Sequence, residues 1–218
     1  FADMGYLPEA MRNYLAKLGW GHGDDEIFTD EQAVAWFDIK DVVGAPARLD
    51  WAKLNHLNNH YIRQADPARL AALVAQIHKS RDWPLRDDHL VVLAHVIPFV
   101  REGAKTTLEL ADATVFALKQ RPLELETPAR DMLTAATRAR LGRLRETLAA
   151  AEVWDVPSLE ALNRGFAEKE GVGLGKIGPA LRAVLSGGSP APDLAGALVS
   201  LGKHESLGRL DEALSRNG

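Results

Sequence analysis

The sequence holds 218 residues with a formal net charge of −4 and no cysteine, which excludes disulfides and thiolate metal sites and fits a reducing cytoplasm, where we expect the protein to work. No apolar run approaches the roughly 20 residues needed to cross a bilayer, so we expect no membrane partner. The negative charge argues against a surface coated in basic residues, and any nucleic-acid contact must therefore be a local patch.

The first predicted helix starts at Pro8, because a proline at the first helical position costs no backbone hydrogen bond. Apolar side chains then recur at helical spacing and form one stripe, made of Met11, Tyr14, Leu15 and Leu18. Gly19 is able to end this helix in a left-handed conformation. A loop rich in glycine and acidic residues follows over residues 20–26.

Capping signals mark the helices that come next. Thr29 lies three residues before Gln32, the spacing of a capping box. Asp50 is placed to cap a helix, and Asp66-Pro67 joins an N-cap to a proline at the first helical position. Residues 39–43 form the only weak strand candidate in the chain.

The second half of the chain also reads as helical. A long helix is predicted from Thr127-Pro128 to about Ala151. Its buried side is predicted to consist of Met132, Leu141, Leu144 and Leu148. Another helix spans about residues 177–185, a rigid turn covers residues 187–192, and two short helices finish the chain. Since leucine and alanine dominate and alternating patterns are nearly absent, we predict an all-α fold.

Two shifts in composition predict where the chain divides. Aromatic residues and histidines cluster before residues 63–66, and Ala/Leu-rich helices take over after them. Two Xaa-Pro pairs, Arg121-Pro122 and Thr127-Pro128, bracket a stretch that resembles a linker. We therefore predict three regions, at residues 1–65, 66–122 and 123–218.

The residues that could carry chemistry do not form a catalytic site. No phosphate-binding glycine loop of the P-loop or dinucleotide type is present, and residues 171–175 follow no strand. His56 and His60 lie one helical turn apart, a spacing that can bind zinc, yet no third ligand is evident. Asp24-Asp25-Glu26 is more typical of an acidic loop than of a cation site. We predict no catalytic residue and no metal site in this chain.

Two groups of residues suit RNA binding. Arg138 and Arg145 lie on related faces of the long arginine-rich helix, where they form either a solvated face or a strip that contacts phosphates. Arg182 precedes the rigid Gly/Pro turn, and such a turn can present backbone groups to an unstacked base. By itself this second pattern favours a surface arginine beside an ordinary turn.

Beyond these patterns, several separated segments resemble bacterial glutamyl-tRNA synthetases in the same order along the chain. Residues 104–112 resemble the "AKTLxELA" helix of that family, and residues 181–203 resemble its closing pattern "LRxALTG…sPxLxxxLxxLGK". The other two matching segments are residues 5–28 and residues 47–63, and the second of these begins at Ala47. The resemblance therefore covers essentially the whole chain.

The resemblance implies a fold and a role. Residues 1–65 would be the multi-helix stem-contact fold, which touches the inner corner of tRNA, and the remainder the helical anticodon-binding cage. The parent enzyme would use ATP and Mg²⁺ to activate glutamate and esterify it onto glutamate-accepting tRNA. Its catalytic domain would lie upstream in the same polypeptide, so this piece would bind tRNA without catalysis and without its own cofactor. We expect a monomer.

The resemblance also assigns site residues. Arg182, Pro192 and Leu194 fall where the family reads anticodon bases, and Ala191 stands where a threonine or serine is common. Gly103 stands where many members carry an arginine that helps to reject glutamine-tRNA anticodons. Arg101 lies two residues away and could substitute only with a different backbone path.

Three other functions stay open from the sequence. The chain could belong to a paralogue with relaxed or glutamine-tRNA anticodon selection, which the Gly103 departure favours. It could be a helical protein-interaction scaffold, which the negative charge favours. It could also be a small metalloenzyme that uses His56 and His60.

Overall fold

The computed structural model describes residues 1–44 and 48–215, and within them all regular structure is helical. The predicted all-α fold is therefore confirmed. Ala47, the first residue of one segment that carries the family resemblance, lies outside the described residues. No described helix is both long enough and apolar enough to cross a membrane.

Eleven α-helical elements follow one another along the described residues. The last of them is broken at Gly202, whose φ of 75° is not helical, so two helices finish the chain as predicted. The first region contains α1 (Pro8–Ala16), α2 (Asp30–Trp36) and α3 (Trp51–Gln64). The middle region contains α4 (Pro67–Ser80), α5 (His89–Val100) and α6 (Thr107–Leu118). The last region contains α7 (Thr127–Asp131), α8 (Ala135–Ala149), α9 (Val156–Lys169), α10 (Gly178–Ser186) and α11 (Leu194–Ser215). Short 3₁₀ helices cover Ala2–Met4, Ile39–Asp41 and Leu174–Lys176.

The helices begin where the sequence provides side-chain caps. Thr29 and Gln32 form the predicted capping box at α2, with the Thr29 hydroxyl accepting from the Gln32 amide at 3.2 Å. Asp50 caps α3, and Asp66 caps α4 ahead of the proline in its first turn. Each cap satisfies amide groups that have no partner inside the helix, which is why these boundaries were readable from sequence.

Three local predictions were wrong. The first helix ends at Ala16, with Lys17 in right-handed geometry, so Gly19 does not end it. Leu15 is 57% exposed and does not belong to the buried stripe. The strand candidate at residues 39–43 contains a 3₁₀ helix instead, started by the Asp38 carboxylate, which accepts from the Lys40 amide at 3.0 Å.

The predicted long helix after Thr127 is in fact two helices. α7 ends at Asp131, and Thr134 caps a new start, its hydroxyl accepting from the Thr137 amide at 3.2 Å. Met132 lies in this break and is 42% exposed, so it is not part of the buried face. The other three predicted members of that face, Leu141, Leu144 and Leu148, are buried.

The buried side chains form three clusters. A small one lies in the first region and consists of Tyr6, Tyr14, Leu54 and Leu57. The second is built mainly on α4, α5 and α6, and it also takes in Leu7, Ala10 and Ile62. The third is built from the helices after residue 132, and Leu201 of α11 packs against both it and the second cluster. The regions are thus joined by shared packing, and the proposed boundaries stay predictions.

Candidate nucleic-acid interface

Helix α10 presents one exposed arginine among mostly buried residues. Its apolar residues Ala180, Leu181, Val184 and Leu185 are buried in the third cluster. Arg182 is rotated by about 100° from Leu181 around the helix and is exposed. Gly187 then ends the helix with a left-handed φ of 63°, a conformation that favours glycine.

Within residues 1–44 and 48–215 the Arg182 guanidinium makes no hydrogen bond and no ion pair. A guanidinium carries five N–H donors in a planar fork, and all of these stay available to a ligand. Arg182 is therefore positioned to bind without first breaking an internal contact.

An apolar groove of about 570 Å³ lies beside Arg182. Its walls come from α7, the 3₁₀ helix at Leu174–Lys176, α10 and the first turn of α11. The side chains that line it are mostly apolar and include Pro128, Met132, Leu174, Pro179 and Leu194. Glu126, Arg182, Ser186 and Ser189 add polar groups. Apolar walls with a few polar groups are typical of a small-ligand site, and a nucleobase fits this description.

The turn between α10 and α11 brings one of two further predicted residues to this groove. Leu194 lines the groove, whereas Pro192, two residues earlier and half-buried, is not among the residues that line it. Asp193 fixes the start of α11, since its carboxylate accepts from the Gly196 amide at 2.8 Å. A Cβ atom at Gly196 would lie 3.3 Å from the Pro192 Cβ, so the glycine permits this close approach. Ala191 is half-buried and packs on the second cluster instead.

The two arginines predicted to contact phosphates are engaged inside the molecule. Arg138 donates to the carbonyl oxygens of Leu133 at 3.0 Å and Ala213 at 2.7 Å. Arg145 forms a two-pronged ion pair with Asp211, at 2.7 and 2.8 Å. These hydrogen bonds lower the pKa of the Asp211 carboxyl. Both arginines thus hold α8 to α11, and a role in RNA binding stays a prediction.

Gly103 and Arg101 lie in the loop between α5 and α6. The Asn59 amide anchors this loop from α3, donating to the carbonyl oxygens of Glu102 at 3.1 Å and Ala104 at 2.8 Å. Arg101 donates to the carbonyl oxygen of Ala65 at 3.2 Å. Gly103 is exposed, and a Cβ atom there would meet nothing within 4 Å among the described residues. The loop therefore has room for a side chain at position 103.

The sequence pattern does not reveal the part of the groove wall that Met132 and Leu174 form. It predicts Met132 on a buried helix face and does not single out Leu174, yet both line the groove. The one available signal was Thr127-Pro128, which marks a helix start but not the break that follows it. The groove depends on that break, because it takes Met132 out of the buried face of α8.

The histidine pair gives no sign of a metal site. His56 and His60 lie on α3, and burial lowers the pKa of His60. Nowhere in the two described ranges, 1–44 and 48–215, do three or more potential ligands of the His, Asp or Glu type come together.

The anticodon binding domain family matches residues 56–214, which is more than half of the chain. A glutamate–tRNA ligase from Phenylobacterium zucineum is 74% identical over 215 residues, covering 99% of this chain and 46% of that protein. One from Caulobacter vibrioides is 58% identical over 215 residues, with the same 99% and 46% coverage. This chain thus spans about half the length of these relatives.

Among solved structures, a glutamate tRNA ligase from Elizabethkingia meningosepticum superposes with a TM-score of 0.77. Its sequence is 23% identical, and the match covers 98% of this chain and 42% of that one. A glutamate-tRNA synthetase from Elizabethkingia anophelis gives a TM-score of 0.71 at 22% identity. At these identities the likeness concerns the fold alone.

Proposed function

Since this chain belongs to the anticodon binding domain family, we propose that it binds tRNA and receives an unpaired anticodon base in the groove beside Arg182. The observation that carries this proposal is that Arg182 is exposed and unpaired, within the described residues, at the edge of an apolar groove.

The groove supplies the two kinds of contact that an unstacked base requires. Pro179, Met132 and Leu194 offer apolar surface to the faces of the ring. The Arg182 fork would donate hydrogen bonds to a base edge or to the adjoining phosphate. A bidentate contact from Arg182 to one base edge would contribute about 1–3 kcal/mol of discrimination, which is enough to favour one anticodon over another.

The glutamate–tRNA ligase relatives indicate the larger reaction. We propose that a longer protein containing this chain joins glutamate to its tRNA, with ATP and Mg²⁺ bound by a catalytic part elsewhere in the same polypeptide. No residue of this chain is proposed to hold ATP or Mg²⁺. The role of this part is then to select the tRNA, acting as a monomer in the cytoplasm.

Gly103 supports a finer proposal about selection. The resemblance places an arginine here in many relatives, and that arginine helps to reject glutamine-tRNA anticodons. We propose that its absence relaxes selection at the corresponding anticodon position. The hydrogen bond of the Arg101 guanidinium to the carbonyl oxygen of Ala65 supports the proposal that Arg101 does not replace the missing arginine.

A binding assay with this chain tests the main proposal. Glutamate tRNA and transcripts with substituted anticodons are titrated against the wild type, Arg182→Ala and Arg164→Ala. Arg164 is the matched control, since it is exposed on α9 and makes no hydrogen bond or ion pair within the described ranges.

We expect Arg182→Ala to weaken binding of glutamate tRNA by about 5- to 100-fold and to leave binding of substituted transcripts nearly unchanged. Arg164→Ala should have little effect on either. Equal losses on every tRNA would reduce Arg182 to a phosphate contact. Absence of tRNA binding at moderate salt would favour the protein-scaffold alternative.

A further inference from the structure

Arg209 is a buried charge that the proposed binding site does not use. Among the described residues it is the only Lys, Arg, Asp or Glu in the buried class, with 2% exposure. Taking a guanidinium out of water is costly unless its donors are satisfied, so its surroundings need an explanation.

The guanidinium of Arg209 contacts two other helices and a carboxylate on its own helix. Its Nη1 donates to the carbonyl oxygens of Phe116 at 2.8 Å and Leu185 at 2.5 Å. Its Nη2 donates to the carbonyl oxygen of Lys119 at 2.8 Å. Its Nε donates to the Glu205 carboxylate one turn away on α11, at 2.7 Å. Four hydrogen bonds thus draw on the five donors of the fork.

The three carbonyl groups all lie at helix C-termini. Phe116 is in the last turn of α6, and Lys119 is its C-cap. Leu185 is in the last turn of α10. Carbonyls at these positions have no partner inside their own helix, and a cation beside them is also favoured by the helix dipole. Arg209 therefore caps two helices at once and fixes one end against the other.

We call Arg209 with its carbonyl partners Phe116, Lys119 and Leu185 the Arg209 clamp. Two further ion pairs support it. The Glu205 carboxylate also accepts from Arg121 Nε at 3.0 Å. Arg121 Nη1 lies 3.5 Å from the Glu212 carboxylate. Glu205 is therefore shared between two guanidinium groups, which orients it toward Arg209.

The clamped end of α10 is the end that leads into the proposed site. Leu185 lies three residues after Arg182, less than one helical turn away. Lys119, the C-cap of α6, makes a further contact with the end of α10: its Nζ donates to the carbonyl oxygen of Gly187 at 3.4 Å. Gly187 begins the turn that carries Pro192 and leads to Leu194. Arg209 thus joins the end of α10 to the part of α11 that follows Gly202, where a non-helical φ of 75° separates Arg209 from the groove residue Leu194.

We propose that Arg209 is a positioning residue, which sets the spacing of α10, α11 and the turn between them and thereby the selectivity of the groove for an anticodon base. This inference rests on the proposed function. This positioning role requires arginine specifically. The planar guanidinium spreads its donors toward the carbonyl oxygens of Phe116, Leu185 and Lys119, and the single ammonium nitrogen of a lysine cannot do the same.

The experiment compares Arg209→Lys, the milder Glu205→Gln and the control Lys203→Met with the wild-type chain. Lys203 is a matched control, since it also binds a carbonyl group near a helix C-terminus. Its Nζ donates to the carbonyl oxygen of Ala151, just after the end of α8, at 2.7 Å. Amide hydrogen exchange across residues 183–196 is measured together with affinity for glutamate tRNA and for anticodon-substituted transcripts.

For Arg209→Lys we expect faster exchange confined to residues 183–196 and to the end of α6. We also expect the ratio of the two affinities to fall by about tenfold, the size of one lost base contact. Glu205→Gln should give a smaller change of the same kind, and it decides the question if Arg209→Lys does not fold. Lys203→Met should leave both readouts near wild type.

Unchanged exchange over residues 183–196, or an unchanged affinity ratio in a folded Arg209→Lys chain, overturns the proposal. Faster exchange spread evenly over the chain also overturns it, because that indicates general destabilisation. If the wild type itself shows no anticodon preference, the proposed function fails and the selectivity part of this inference fails with it. The exchange pattern then decides separately whether Arg209 positions the turn.

Discussion

The Arg121 guanidinium lies directly against the Cα of Gly208, in the space that a side chain at position 208 would occupy. Gly208 is within α11, and Arg121 is held there by Glu205 and Glu212. The absence of a Cβ on Gly208 therefore allows the ion-pair cluster beside Arg209 to form.

This contact predicts an unusual result for Gly208→Ala. Replacing glycine by alanine inside a helix ordinarily stabilises it by about 0.5–1 kcal/mol. Here the new methyl group would displace Arg121, so we expect no gain or a net loss. The matched control is Gly165→Ala in α9, where a Cβ meets nothing within 4 Å. Urea unfolding of both variants checks this, and equal stabilisation of the two would contradict it.

A second prediction concerns the buried Asn58, which joins the first region to the loop before α6. Asn58 is fully buried; its side chain accepts from the Leu7 amide at 2.8 Å and donates to the carbonyl oxygens of Gly5 at 3.1 Å and Lys105 at 2.6 Å. Asn58→Ala leaves the Leu7 amide and the Lys105 carbonyl without this partner, while the Gly5 carbonyl keeps its hydrogen bond from the Thr107 amide at 2.9 Å. We expect a loss of about 2–4 kcal/mol in the free energy of unfolding.

The control for this variant is Asn55→Ala. Asn55 accepts one hydrogen bond, from the Tyr6 hydroxyl at 2.7 Å, in a partly buried setting. Its loss should cost about 1 kcal/mol or less. Similar losses for the two variants, measured by chemical denaturation, would refute the assignment of Asn58 as a junction residue.

Two buried histidines predict how stability depends on pH. Burial lowers the pKa of both His78 and His89. The Thr114 hydroxyl donates to the carbonyl oxygen of Ala111 at 2.8 Å, so it accepts from Nε2 of His78. Nδ1 of His89 accepts from the Arg86 amide, which requires an unprotonated nitrogen. The contact at His89 thus requires the neutral form. At His78, where Nε2 donates in either form, it is burial that disfavours the charged form.

The sign of the effect follows from the lowered pKa values. The unfolded chain takes up protons near the ordinary histidine pKa of about 6.5, before the folded chain does. The stabilising contribution is therefore complete above that pH and is lost as the pH falls below it, toward the folded-state pKa values. Around His78, Arg81 and His89 act in the same direction as burial, and Asp112 opposes them. Around His89, Arg86 adds to the effect of burial, and Asp88 opposes it.

Denaturation at a series of pH values between about 7.5 and 5 checks this prediction. We expect the free energy of unfolding to decrease across the range in the wild type. His89→Asn keeps an acceptor for the Arg86 amide but cannot titrate, so its pH dependence should be shallower. The exposed His204→Asn is the control and should follow the wild type. A steeper dependence in His89→Asn would be incompatible with this account.

The loop at Gly103 predicts a gain of selectivity on substitution. Gly103→Arg finds open space and an anchored backbone, so it should not disturb folding. We expect it to increase discrimination against glutamine tRNA in a competition binding assay, and also in a charging assay of the longer enzyme. Strict glutamate-tRNA preference in the wild type, unchanged by the substitution, would reject relaxed selection.

The sequence allowed the fold to be predicted wherever a boundary depends on neighbouring residues. The caps at Thr29, Asp50 and Asp66 are local, and each is confirmed. The break after Asp131 was missed because Thr134 interrupts a stretch whose helical periodicity and composition otherwise continue. Gly19 was misassigned because α1 ends without using a left-handed residue.

The site was less predictable because it depends on contacts that are distant in sequence. Arg138, Arg145 and Arg182 all read alike as surface arginines. What separates them are partners far along the chain, such as Asp211 for Arg145 and Ala213 for Arg138. The Met132 wall of the groove and the Arg209 clamp likewise arise only after folding. The family resemblance supplied the position of Arg182, and the family itself is confirmed.

A site-specific photo-crosslink tests most directly whether the groove receives an anticodon base. A photoreactive amino acid replaces Met132, which lines the groove and is 42% exposed, and the chain is irradiated with glutamate tRNA. The account predicts a crosslink to an anticodon nucleotide that is lost when Arg182→Ala is introduced as well. A crosslink confined to the acceptor stem, or one of equal yield without Arg182, would contradict it.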